Sequence, residues 1–144
     1  MNMNINWIIL LLLLTITSIV RLSAQDDLPK ESKIEKNKIK TIVQTKYDYE
    51  TGKEAKQLIS VARFNDKGQL MEYKEYSEKG KFVKYEKYEY NSDGDKTKET
   101  QLDAGGKVTK INEYVYVNRL LKERTSYMPN GKVKSKKVFG YEFY

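Results

Sequence analysis

One turn sequence recurs along this chain and fixes most of what it can fold into. It reads Phe64-Asn65-Asp66-Lys67-Gly68-Gln69-Leu70, then Tyr76-Ser77-Glu78-Lys79-Gly80-Lys81-Phe82. Leu102-Asp103-Ala104-Gly105-Gly106-Lys107-Val108 and Tyr127-Met128-Pro129-Asn130-Gly131-Lys132-Val133 repeat it with the same spacing of bulky residue, glycine and apolar residue. Tyr90-Asn91-Ser92-Asp93-Gly94 shares the turn but places Lys96 at the last position. A short polar residue three positions before Gly bonds to the turn backbone, and Gly takes φ > 0 without a Cβ clash. Such turns join antiparallel strands and leave a small bulge. Gly68, Gly80, Gly94, Gly106 and Gly131 are therefore read as structural turn residues.

Between the turns Tyr, Val, Thr, Phe, Lys and Glu alternate, which is the pattern of strands. Short connections make sequential strands neighbours. Tyr88 and Tyr90 recur as Tyr114 and Tyr116, 26 residues on, so two hairpins form one repeat. Val117-Asn118-Arg119-Leu120 lacks the glycine and fits a two-residue turn with Asn118 at φ > 0. The predicted fold is all-β: an up-and-down antiparallel meander of about eight strands, single-layered or curled. Strands are expected from residue 39 and near 53–64, 69–77, 81–90, 95–102, 107–117, 120–127 and 132–143, with Gly52 in the first turn.

Ahead of this domain (39–144), residues 1–24 read as a signal peptide, with an apolar run from Ile5 to Val20 and Leu22-Ser23-Ala24 before a cleavage point at Gln25. An uncleaved inner-membrane anchor is the alternative; export to the periplasm or beyond is the expectation. Residues 25–38 are charged, without apolar period, and read as a linker. The chain has no cysteine, so disulfides and an N-terminal lipidated cysteine are excluded.

Parity assigns the faces. Phe82, Lys84, Glu86, Tyr88 and Tyr90 share one, matched by Val108, Lys110, Asn112, Tyr114 and Tyr116. The bulky residues fall at strand ends and polar ones in the centres, a pattern for a thin sheet. Tyr88, Tyr114 and Tyr141 are expected to form one aromatic stripe, with Tyr90, Tyr116 and Phe143 beyond them, as sheet packing or as a partner-binding surface. Glu86, Glu89, Glu99, Glu113 and Glu123 are expected in solvated cross-strand charge ladders. Lysines and glutamates at strand centres on both faces argue against a lipid-facing barrel, since each lysine costs ~2–4 kcal/mol at the bilayer midplane.

The recurring Tyr-x-Tyr-Asn-x-x-Gly and Tyr-x-x-x-Gly-Lys-[Val/Phe] pieces resemble the tyrosine-aspartate (RHS-type) repeats of bacterial exported proteins, over roughly residues 45–144. Tyr127-Met128-Pro129-Asn130-Gly131-Lys132-Val133 also resembles MORN-like repeats of antitoxin-type proteins. In the position where tyrosine-aspartate repeats carry Asp, this chain has Asn65, Ser77, Asn91 and Met128. Both resemblances imply a β-repeat scaffold and neither implies a catalytic residue.

The absence of histidine and cysteine removes the commonest general base, the thiol nucleophile and the usual transition-metal ligands. Asp93-Gly94-Asp95 is too short for a calcium loop and reads as turn chemistry. No catalytic, metal or cofactor residue is assigned. The net charge is +7, or +6 once Arg21 leaves with the leader, which favours anionic partners. The expected function is a non-enzymatic exported module that binds a protein or an anionic glycan through a sheet face or edge. Alternating charge signs argue against nucleic acid. An antitoxin-type protein that blocks a toxin by surface binding, or a spacer without ligand, is the alternative.

Overall fold

The computed structural model describes residues 24–49, 52 and 55–144. The apolar run assigned to a leader lies outside the described residues. Eight strands follow one another: β1 Thr41–Asp48, β2 Ala55–Phe64, β3 Leu70–Tyr76, β4 Phe82–Tyr90, β5 Lys96–Leu102, β6 Val108–Val117, β7 Leu120–Tyr127 and β8 Val133–Val138. They form one sheet in the order β1 to β8, every neighbouring pair antiparallel. The meander expected from the turns is the observed fold. Its last strand is shorter than expected, ending at Val138 rather than at 143. Beyond Val138 the Phe139 N–H still donates to the carbonyl of Lys122, the bulged residue of β7, at 3.0 Å.

Five turns share one construction. The glycine N–H donates to the carbonyl three residues earlier, and that residue's N–H donates to the carbonyl just past the glycine, all at 2.7–3.1 Å. The five glycines have φ between +68° and +87°, where any Cβ is strained. The Asn65 Oδ1 accepts from the Lys67 and Gln69 amides at 3.1 and 2.9 Å, and Asp103 Oδ1 accepts from Gly105 and Lys107 at 2.9 Å each. In the two-residue turn Asn118 and Arg119 both lie at positive φ, +52° and +65°, as a type I′ turn requires.

Residues 25–38 are not the linker expected from their composition. Ala24–Asp27 form a 3₁₀ turn and Glu31–Lys36 a short helix, α1. Ile34 is fully buried, and Leu28 packs against the cluster of Ala62, Tyr73 and Tyr88 on one face of the sheet. Gln44 Nε2 donates to Asp27 Oδ2 at 3.3 Å. Two apolar side chains in fourteen residues give no periodicity to read, yet Leu28 packs on the sheet and Ile34 is fully buried. These contacts reach β1 to β4 and cap that end of the repeat array. At the other end all six residues of β8 are exposed.

The cap explains an inequality among the turn glycines. A Cβ on Gly68 would lie 2.5 Å from the Glu31 carbonyl oxygen and 2.8 Å from the Glu35 nitrogen, whereas one on Gly80 would meet nothing within 4 Å. Gly80→Ala should cost only the left-handed strain, about 1–2 kcal/mol. Gly68→Ala should cost a further ~1–3 kcal/mol because α1 must lift. Urea unfolding of the two variants measures the difference; equal costs would mean that the cap does not rest on this turn.

Candidate functional site

The tyrosines expected to form a stripe lie on the face that the cap partly covers, but they do not stack on one another. Register places Glu99 opposite Tyr88 and Asn112 opposite Glu99. Between Tyr88 and Tyr114 stands Lys96, whose Nζ lies 5.2 Å from one ring centroid and 5.1 Å from the other. Arg124 continues the series, its guanidinium carbon 5.6 Å from the Tyr114 centroid. The row is thus Tyr88, Lys96, Tyr114, Arg124, in which each cation rests on a π face. The sequence signal for this was the one turn whose last position is Lys96 rather than an apolar residue.

The second band is a series of latches. Tyr90 donates its hydroxyl to the Leu70 carbonyl at 2.9 Å, Tyr116 to the Lys96 carbonyl at 3.0 Å, and Tyr141 to the Leu121 carbonyl at 2.7 Å. Each acceptor is the residue at which a hairpin's register shifts, paired as Phe64↔Leu70, Tyr90↔Lys96 and Tyr116↔Leu121. Tyr141 is therefore the equivalent of Tyr90 and Tyr116, not of Tyr88 and Tyr114 as expected. The two-residue turn at Asn118-Arg119 shortens that unit and moves the equivalence along the strand. Phe143 lies past the last latch and is 79% exposed.

Below these rings runs a hydrogen-bonded polar chain. Glu86, expected in a solvated ladder, is buried; it accepts from the Tyr88 hydroxyl, from Gln101 Nε2 at 3.1 Å and from Lys84 Nζ at 3.1 Å. Glu99, also expected in solvent, accepts from Lys96 at 3.1 Å, Asn112 at 3.1 Å and Tyr114 at 3.2 Å. Ser126 donates to Asn112 Oδ1 at 2.6 Å. Both carboxylates lie under tyrosine side chains: Tyr88, itself covered by Gln25 and Leu28, bonds Glu86, and Tyr114 bonds Glu99. Burial and the Glu86 carboxylate raise the Tyr88 phenol well above its ordinary value. Burial, with Glu99 adding, pushes Tyr114 up to about 12. Burial also pushes the Glu99 carboxyl up, but the Lys96 ammonium and the Tyr114 and Asn112 donors outweigh it and hold it below its usual range. On the opposite face the expected ladders are present, with Glu89 facing Lys98 at 3.6 Å, Glu123 facing Lys136 at 2.7 Å and Glu113 accepting from Tyr127 at 2.9 Å.

Charge balance on the covered face changes at β6. Lys84 and Lys96 each meet a carboxylate. Lys110, Arg124 and Lys137 meet none among the described residues, and Arg124 stands directly opposite Lys137. These three cations, with Ser126 and Ser135, line an open cleft of about 200 Å³.

Two outcomes test this architecture. Tyr116→Phe should keep the packing, as Phe64 does at the equivalent position, and lose about 1 kcal/mol with the hydroxyl. Tyr114→Ala should lose ~2–4 kcal/mol; both are read from urea unfolding, and a Tyr114→Ala cost below that of Tyr116→Phe would contradict the buried role. Because the folded Glu99 pKa is depressed, its stabilisation is present above its ordinary value of 4.5 and is lost on acidification through the lower folded value. Glu99→Gln should therefore be less stable than wild type at pH 7, with the gap closing below about pH 4.5.

No protein-family model, curated protein or solved structure matches this chain.

Proposed function

We propose that this chain is an exported, non-enzymatic β-repeat module that binds an anionic cell-envelope or extracellular partner, protein or glycan, with the β6–β8 end of its sheet. The observation that carries this reading is the charge imbalance of the covered face. Where the cap and the buried carboxylates lie, lysines are neutralised; on the same face at β6–β8, Lys110, Arg124 and Lys137 line an open cleft without carboxylate partners among the described residues. Cross-strand like charges such as Arg124 and Lys137 destabilise a sheet, so an unneutralised cluster has a use only when something anionic sits on it.

Two further features support the same end of the molecule, and the charge of the whole chain agrees with them. The β8 edge carries Lys134, Lys136 and Lys137, follows Lys132, and is wholly exposed. Phe143 and Tyr144 are exposed beyond it, aromatic surface of the kind that anchors a partner. The net charge of +7 favours encounter with anionic surfaces. A non-enzymatic role fits the chemistry of the buried carboxylates, since Glu86 and Glu99 are held by lysines, amides and hydroxyls rather than presented to a cleft.

Affinity capture from envelope extract of the native host tests the reading. The full chain should retain a partner at low ionic strength and release it as salt screens the surface over about one Debye length, ~10 Å at 0.1 M. Lys134→Glu with Lys137→Glu should abolish retention, and Lys67→Glu in a distant exposed turn should leave it intact. Retention that survives the double reversal would refute binding at this end.

A further inference from the structure

We propose that Lys110, Arg124 and Lys137, together with the Ser135 hydroxyl, form a binding site for a tetrahedral oxyanion, a sulfate or phosphate ester group. The proposal rests on the functional reading above only for what carries the group; the site itself stands on its own geometry.

The cleft lies on the covered face, between β6, β7 and β8, where Ser126 pairs with Ser135 and with Asn112 across the sheet. Its walls supply donors almost exclusively. The Arg124 guanidinium carbon lies 5.6 Å from the Tyr114 ring centroid, and Arg124 is one of the residues that line the cleft. Its Nε is buried with no hydrogen-bond partner among the described residues. A buried donor left unbonded is costly, and a guanidinium edge matches oxyanion geometry. The Ser126 proton is already committed to Asn112 at 2.6 Å, so Ser135 is the hydroxyl left to donate. Lys110 and Lys137 bring flexible ammonium groups from the neighbouring strands.

Charge selects the class of ligand. Three cations without a carboxylate leave a single carboxylate ligand outnumbered, whereas a tetrahedral group offers three or more oxygens to donors from three strands. The row along this face shows the same need. Each earlier cation in the series rests on a ring and meets an acid, as Lys96 does with Glu99. Arg124 has the ring and lacks the acid. An oxyanion in the cleft would complete the pattern and relieve the Arg124–Lys137 repulsion.

The test uses the purified full-length chain in detergent micelles that hold its apolar N-terminal run. Sodium sulfate, sodium phosphate and sodium acetate are titrated at an ionic strength held constant with chloride. The readouts are the thermal midpoint and the NMR shift of the Arg124 Nε–H. Sulfate or phosphate should raise the midpoint saturably and move the Arg124 signal, and acetate should bind at least about tenfold more weakly, a difference of ~1.4 kcal/mol. The stronger of the two tetrahedral anions identifies which ester the site takes. Lys137→Gln should raise the midpoint in chloride alone, because it removes a like-charge pair, yet weaken sulfate or phosphate at least about tenfold. Ser135→Ala, which leaves the charge unchanged, should weaken binding without raising the midpoint. Responses no greater than those to chloride, acetate binding as well as the tetrahedral anions, or undiminished binding by Lys137→Gln would each overturn the site. Loss of the anion site with partner capture intact would leave the functional reading standing.

Discussion

A phenol hydroxyl that reaches back to a backbone carbonyl ties each repeat of this sheet to the one before. Tyr90 pairs with Lys96 in the ladder, the Lys96 carbonyl accepts from Tyr116, Tyr116 pairs with Leu121, and the Leu121 carbonyl accepts from Tyr141. A one-layer sheet has no opposing layer against which to fix its curvature. Here each latch joins a strand to the one before it and ends on the residue at which the preceding hairpin's register shifts. The bulges that the turns impose and the tyrosines that the period supplies are two parts of one device.

The latches make possible a core that is polar at its centre. Ser60, Glu86, Asn112 and Ser126 are buried on one face, where a sandwich would place valine or leucine. Such groups are tolerable only when bonded, and unbonded members cost several times what a bonded one contributes. The chain of bonds from Lys84 through Glu86, Gln101, Glu99 and Asn112 to Ser126 meets that demand across four strands. A polar row also specifies register. A one-residue slip would place these groups on the opposite face and leave their partners unmet. An alternating pattern of Lys and Glu alone would not discriminate so sharply.

The turns were the most legible part of the sequence because each is a local problem: Asn65 or Asp103 bonds its own turn, and the glycine solves its own φ. Strand order followed from turn length, and the separation of aromatic ends from polar centres followed from parity. What escaped was whatever depends on two distant segments at once. Burial of Glu86 depends on Tyr88 and on the cap at Gln25 and Leu28, sixty residues away in a stretch whose composition reads as solvent-exposed. The insertion of Lys96 between two tyrosines depends on a bulge that shifts β5 by one residue. The cationic cleft could be anticipated even less, since Lys110, Arg124 and Lys137 meet only once three strands are in register.

The latches also have a direction. In every one the hydroxyl donor lies twenty residues downstream of its carbonyl acceptor, and the capping segment precedes the whole array. A chain that emerges N-terminus first therefore presents its cap, then an acceptor, and only afterwards the tyrosine that will close on it. For its latch, each new tyrosine finds its carbonyl acceptor already in place. The array can close in the order in which it is made, and it is least secured at the strand that arrives last.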